Sequence, residues 1–167
     1  MSRVPDQLPY RPDPVRTRWE PAMRLALAEA ALAPATGDVP VGALIFGPDG
    51  TVIGRGHNAR EAVGDPTAHA EVLAIREAAQ AVGEWRLTGC TLVVTLEPCT
   101  MCAGAISFAR IRRLYYGAAD PKGGAVEHGP RLFDQPTTHH RPEIYGGIEE
   151  RRAGELLRGF FKTRREE

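Results

Sequence analysis

The sequence predicts a three-layer α/β/α domain built around a central mixed sheet of about five strands. Three observations carry this: β-rich runs alternate with helical periodicity along most of the chain; one run, Leu92 to Leu96, is apolar without alternation, as a strand covered on both faces must be; and helical segments fall on both sides of it. At 167 residues the chain matches one domain by the guide of about 150 residues per domain, and it can bury a proper core.

Residues 1–16, MSRVPDQLPYRPDPVR, hold four prolines and little apolar content, and read as an irregular arm outside a domain spanning 17–167. A first helix follows in TRWEPAMRLALAEAALAPA, with Glu20 or Thr17 as cap, Pro21 in its first turn, Met23, Leu27 and Ala30 or Ala31 along one face, and Pro34 ending it. DVPVGALIFGPDGTVIGRGHN gives two strands, about 39–46 and 51–56, divided by the turn Gly47-Pro48-Asp49-Gly50. A loop from His57 to Pro66 leads to a second helix starting near its cap Thr67, with Val72, Ile75 and Ala79 on its apolar side. The central strand runs directly into PCTMCAGAISFARI, read as a helix, and IRRLYYGA forms a strand near 111–117. After a Gly/Pro-rich excursion, EIYGG makes a last short strand, and IEERRAGELLRGFFKTRREE a final helix with Ile148, Leu156, Leu157, Phe160 and Phe161 on its apolar face. No internal repeat is visible.

Lys plus Arg and Asp plus Glu both total 21, so nucleic-acid binding requires a local basic patch and not a global field. The longest apolar runs, such as VPVGALIF and TLVVTL, fall far short of the roughly 20 residues that span a bilayer. With no apolar leader and an odd three cysteines, the expectation is a cytoplasmic protein, no membrane, and thiols kept reduced for metal or catalysis.

Cys99 and Cys102 form a CxxC at a strand-to-helix junction, which sets two sulfurs one turn apart where a helix N-terminus favours thiolate. Pro98 suits the beginning of that helix. A further ligand must be a histidine or Cys90. The strand from Thr91 to Leu96 holds Cys90 about 20 Å from the far end at roughly 3.3 Å per residue, so Cys90 reads as a small core residue. The sequence His69-Ala70-Glu71 supplies the alternative: His69 as a third ligand, with Glu71 beside the metal but free to act on a bound water. Three protein ligands leave a tetrahedral position open, the arrangement of catalytic zinc.

H-x-E followed by P-C-x-x-C is the signature of zinc deaminases. DPTAHAEVLAIREA and TLEPCTMCAGAISFARI resemble segments of the bacterial tRNA adenosine deaminases, and the resemblance extends through DVPVGALI, GHN, YGAADPKGGA, HHRPEIYGG and FFKTRR. It implies a cytidine deaminase-like fold, one zinc ion per subunit held by His69, Cys99 and Cys102, and Glu71 shuttling protons during hydrolytic deamination of adenosine to inosine at the wobble position of a tRNA anticodon. It also implies that Ala70 offers its backbone N–H to the base, that Asn58 contacts the flipped nucleotide, that Asp120 lies near the bound strand, and that Lys162, Arg164 and Arg165 face phosphates of the anticodon stem-loop. A homodimer is implied as well.

From the residues alone, Asn58 equally fits a plain turn position, Asp120 a loop-capping aspartate, and the C-terminal cations a solvated run weakened by Glu166 and Glu167. Arg110, Arg112 and Arg113 either add to a basic patch or face water. After DPKGGA the chain reads VEHGPRLFDQPTTHH where many family members have an Ala-Gly-Ser run, a departure that bears on recognition and not on chemistry. His128, His139 and His140 read as loop and core histidines, without the carboxylate or thiol spacing of a second metal site. Two other functions compete: deamination of a free base or nucleoside of the guanine or cytosine type, and a non-catalytic zinc-stabilised RNA-binding domain. Thr100 and Ala103-Gly104-Ala105 around the CxxC follow the tRNA branch, and an intact Glu71 has little use in a purely structural site.

Overall fold

A computed structural model describes residues 14–166. The elements are α1 (Pro14–Ala30), β1 (Gly42–Phe46), β2 (Val52–His57), α2 (Arg60–Val63), α3 (Ala70–Val82), β3 (Thr91–Leu96), α4 (Thr100–Phe108), β4 (Arg113–Ala118), β5 (Glu143–Tyr145) and α5 (Glu150–Glu166). One five-stranded sheet has the order β2-β1-β3-β4-β5; β1 is antiparallel to both its neighbours, and β3, β4 and β5 are parallel. The sheet is therefore mixed, as expected. No helix among the described residues is long and apolar enough to cross a membrane.

Each face of the sheet carries its own core. On one, Met23 and Ala26 of α1 meet Leu44, Val93, Tyr115 and Ile148, with Trp19 stacked on Tyr115 at 4.7 Å between ring centroids. On the other, Ala70, Ala74 and Ala78 of α3 and Ala103 and Ile106 of α4 meet Ile45, Leu92, Val94, Leu114 and Tyr116. Residues 92, 93 and 94 of β3 alternate between the two cores and all are fully buried, which is why that strand is apolar without interruption. The last helix, α5, packs Ala153 against Gly117, on the α1 side.

Several local expectations are corrected. The first helix begins at Pro14, ahead of the boundary drawn after residue 16, and Pro21 lies inside it and not in its first turn; the rest of the arm lies outside the described residues. Pro21 removes one intrahelical bond, a cost carried by the burial of Ala22, Met23, Ala26 and Ala30 just beyond it. The third helix starts at Ala70 with His69 at the N-cap, because Thr67 is engaged one turn earlier: its N–H and hydroxyl both donate to Asp65 Oδ1 at 2.8 Å. Cys99 is the N-cap of α4, directly after Pro98, which stands at the beginning of that helix as expected. The loop after β2 contains the single-turn helix α2, held by Asp38, whose buried carboxylate accepts from the Glu61 and Ala62 N–H groups at 2.8 and 3.1 Å.

The apolar side of α3 is wider than expected. Ala70, Ala74 and Ala78 are its buried, sheet-facing residues; Ile75 and Ala79 pack partly buried against the same core, and with Val72 they line a surface groove shared with α4. The reason lies in β2: a Cβ at Gly54 or Gly56 would strike the backbone of α3 at Ala74 or Ala70. Two glycines let the helix sit against the strand at backbone distance, and only alanine fits between them.

Candidate active site

The site stands at the C-terminal ends of the parallel strands, where α3 and α4 begin. His69 is the N-cap residue of α3 and Cys99 that of α4, with Cys102 one turn further on. His69 Nδ1 lies 3.6 Å from Cys99 Sγ and 3.5 Å from Cys102 Sγ, and the three ligand atoms all fall within 4.8 Å of one another. Bonds of about 2.3 Å to sulfur and about 2.05 Å to nitrogen at a tetrahedral angle put S and N about 3.6 Å apart, so the set fits one zinc ion. Cys90 is buried at the start of β3 and does not join this group, as the strand-length argument requires.

The thiols are electrostatically unequal. The Cys102 S–H donates to Cys99, which with help from His69 draws the Cys99 thiol down to about 4; the same bond, with burial, drives Cys102 upward. His69 is raised by its hydrogen bond to Cys99 against the opposing effect of burial. Of the two thiols, Cys99, at the N-terminus of α4, is the one whose thiolate is favoured.

Beside the donor set, a pocket of about 210 Å³ is lined by Asn58, Arg60, His69, Ala70, Glu71, Glu97, Cys99, Asp120 and Gly123, together with Val39, Val41 and Leu96. Glu71 is 4% exposed, and burial raises its carboxyl above the usual range. Ala70 is the first residue of α3, so its N–H has no acceptor within the helix. Asn58 is fixed by its backbone N–H to Val41 O at 3.0 Å, yet its side-chain Oδ1 is buried with no hydrogen-bond partner.

Two charged pocket residues, Arg60 and Glu97, were not foreseen from the sequence. Arg60 stands exposed at the rim. Glu97 is fully buried and accepts from the N–H groups of Asp120, Val126, Glu127 and His128 and from His128 Nδ1, at 2.7 to 3.2 Å. Burial favours its neutral form, but these bonds outweigh that and hold the carboxyl below its ordinary value. The available signal was a charged residue placed between an unbroken apolar strand and a proline. Asp120 does cap its own loop, with Oδ1 accepting from the Lys122 and Gly123 N–H groups, and it also lines the pocket.

Val39, Leu96 and Asp120 are shared with a second, larger cleft of about 810 Å³, otherwise lined by Ala119, Lys122, Leu157, Arg158, Phe161, Arg164 and Arg165. Arg164 and Arg165 thus reach the site region, Lys162 does not line the cleft, and Arg158, not anticipated, does. Among the other histidines, His128 binds Glu97, His140 Nε2 donates to Ile111 O at 2.7 Å, and His139 packs beside Phe108; none joins a second metal group among the described residues. Arg113 pairs with Glu143, and Arg112 faces solvent.

The zinc-binding region of cytidine and deoxycytidylate deaminases matches residues 16–118, and the tRNA-specific adenosine deaminase of Agrobacterium fabrum is 57% identical over 143 residues, covering 86% of this chain and 93% of that one. The chain belongs to the tRNA-specific adenosine deaminase family. The family's Bacillus subtilis member is 43% identical over 149 residues, 89% of this chain and 92% of its own. A solved structure from work on A-to-I editing by tRNA:A34 deaminases at the wobble position aligns with a TM-score of 0.79 and 58% identity, over 81% of this chain and 97% of that one. Its match establishes the α/β deaminase fold for this family member.

Proposed function

We propose that the protein is a zinc-dependent deaminase that converts adenosine to inosine at the wobble position of a tRNA anticodon stem-loop. One observation carries the reading beyond family membership: the small pocket beside the donor set adjoins, through the shared residues Val39, Leu96 and Asp120, a much larger cleft lined by Lys122, Arg158, Arg164 and Arg165. The pocket is below the roughly 300–1,000 Å³ of sites that engulf whole ligands, so it suits a flipped base, while the adjoining cations suit the phosphodiester chain on either side. A free base would need only the pocket.

Bound by His69, Cys99 and Cys102, zinc supplies the Lewis acidity that brings a water to nucleophilic strength near neutral pH. Glu71 takes a proton from the attacking water as it adds to C6 of the purine. The same carboxyl passes that proton to the ring nitrogen, then takes the proton of the new C6 hydroxyl and delivers it to the amino group, which departs as ammonia as the C6 carbonyl forms. Asn58 Oδ1 accepts a donor of the flipped nucleotide, and the Ala70 N–H donates to the base. Asp120 forms the wall between pocket and cleft, and Arg164 and Arg165 hold phosphates together with Arg158.

The chain further acts as a homodimer in this reading. Support comes from the groove between α3 and α4, where Val72, Ile75, Ala79, Ala105 and Phe108 form an almost wholly apolar surface beside Trp85, and Phe108 is 66% exposed. Sedimentation is expected to give a dimer at micromolar concentration, and Phe108→Asp a monomer.

The deciding experiment is mass analysis of nucleosides from an anticodon stem-loop bearing A at the wobble position, after incubation with zinc-loaded protein. Inosine at that position is expected. Ammonia release from free guanine or cytosine-type substrates, with the RNA untouched, would overturn it.

A further inference from the structure

The 120–128 loop lies where pocket and cleft adjoin; Ala125 and Val126 are buried in the core and Tyr116 donates to Glu127, but five of the loop's hydrogen bonds converge on one side chain. Glu97 follows β3 directly and precedes the Pro98-Cys99 junction by one residue. Its Oε1 takes the Asp120 N–H at 3.0 Å and His128 Nδ1 at 2.7 Å; its Oε2 takes the N–H groups of Val126, Glu127 and His128 at 3.2, 3.0 and 3.2 Å. The loop wraps the carboxylate closely: a Cβ at Gly124 would sit 2.5 Å from both the Glu97 carboxyl carbon and Asp120 O. From the same loop the Ala125 N–H donates to Pro98 O at 2.9 Å, tying it to the residue next to the Cys99 ligand.

Both ends of the loop therefore meet at one buried acceptor, and what lies between them includes Asp120, Lys122 and Gly123, the wall residues of pocket and cleft. Of the five donors, four are backbone groups that any sequence of this loop could supply; His128 is the one side chain. Its ring is about one-third exposed and spans from the buried carboxylate to the surface.

We propose that Glu97 and His128 are positioning residues for the substrate, a clamp that holds the 120–128 loop as the wall between base and backbone sites. Neither reacts; their contribution is to keep Asp120 and Gly123 where the nucleotide is received. The inference rests on the deaminase reading above for the nature of the substrate, but the clamp serves whatever base enters the pocket.

The test is steady-state kinetics of zinc-loaded wild type, His128→Ala and His128→Asn on the stem-loop, with zinc content and amide hydrogen exchange measured on the same samples. Losing one buried hydrogen bond is expected to raise KM about 3- to 10-fold in His128→Ala, with kcat and bound zinc unchanged. Amides of 126–128 exchange about tenfold faster while those of β3 do not change. Asn retains an N–H donor at the position of Nδ1, and His128→Asn is expected to restore KM to within about twofold of wild type. Unchanged KM, a fall in kcat or zinc content alone, or equal defects in the two variants overturns the proposal. If the wild type is inactive on the stem-loop, the adenosine reading fails, and KM for the base or nucleoside it does deaminate decides the clamp by the same criteria.

Discussion

Glu71 and Asn58 are both buried polar residues in one pocket, but they bear differently on stability, and this separates their roles experimentally. The Asn58 Oδ1 acceptor is unpaired. Replacing Asn58 by Ala removes an unpaired buried acceptor together with the proposed contact to substrate, so Tm is expected to stay level or rise while kcat/KM falls about tenfold or more. Thermal melts and kinetics on the stem-loop check this, and a fall in both would mean that Asn58 is a structural turn residue. Glu71→Gln keeps the shape and removes the proton carrier: turnover is expected to fall about 10²- to 10⁴-fold with the zinc content unchanged. Loss of metal in that variant would favour a structural site. The metal donors were legible because their spacing is local and their chemistry narrow. Glu97 was not, because its partners, at 120 and 126–128, are brought to it only by the parallel pairing of β3 with β4.

Among the elements, α2 and α3 show where pattern and packing diverge. The β-rich run identified β2 as a strand, but the spacing gave no weight to Gly54 and Gly56, and so the buried alanines Ala70, Ala74 and Ala78 of α3 were missed beside Val72, Ile75 and Ala79. Gly56→Ala is expected to cost about 1–3 kcal/mol by forcing strand and helix apart, read as a lowered Tm. One turn of α2 went unrecognised because its support comes from Asp38, 22 residues before it. Burial works against the charged form of Asp38, yet the bonds from Glu61, Thr36 and Ala62 outweigh it and lower its pKa from 3.8. A lowered folded-state pKa means that this stabilisation is complete above the unfolded value and disappears as pH falls through the folded one. Asp38→Ala is therefore expected to cost about 1–2 kcal/mol at neutral pH, and the Tm gap to wild type to close only below about pH 4. A gap independent of pH would show that the carboxylate charge contributes nothing.

For the whole molecule, the fold class was readable because five strand signals alternate with helix signals in the order the sheet requires. The cleft was legible only in part: Arg164 and Arg165 were expected at phosphates and line it, but a net charge of zero says nothing about where Lys122 and Arg158 lie. The cations Lys122, Arg158, Arg164 and Arg165 come from a loop and from the far end of the chain and meet only in three dimensions, opposite the lone carboxylate Asp120. If all four neutralise phosphates of a single-stranded loop, counterion release gives log KM a slope of up to about 2.8 against log salt, or about 50-fold between 50 and 200 mM. Arg158→Ala is expected to reduce that slope by about 0.7 and to leave kcat unchanged, since the cleft adjoins the reacting base without touching it. Lys162, which does not line the cleft, serves as the internal comparison: Lys162→Ala is expected to leave the slope within error of wild type. A KM insensitive to salt would place the phosphates elsewhere. Equal slopes for wild type and Arg158→Ala would return α5 to the status of a solvated charged helix, so a salt titration of these two variants separates the folded charge pattern from the charge count.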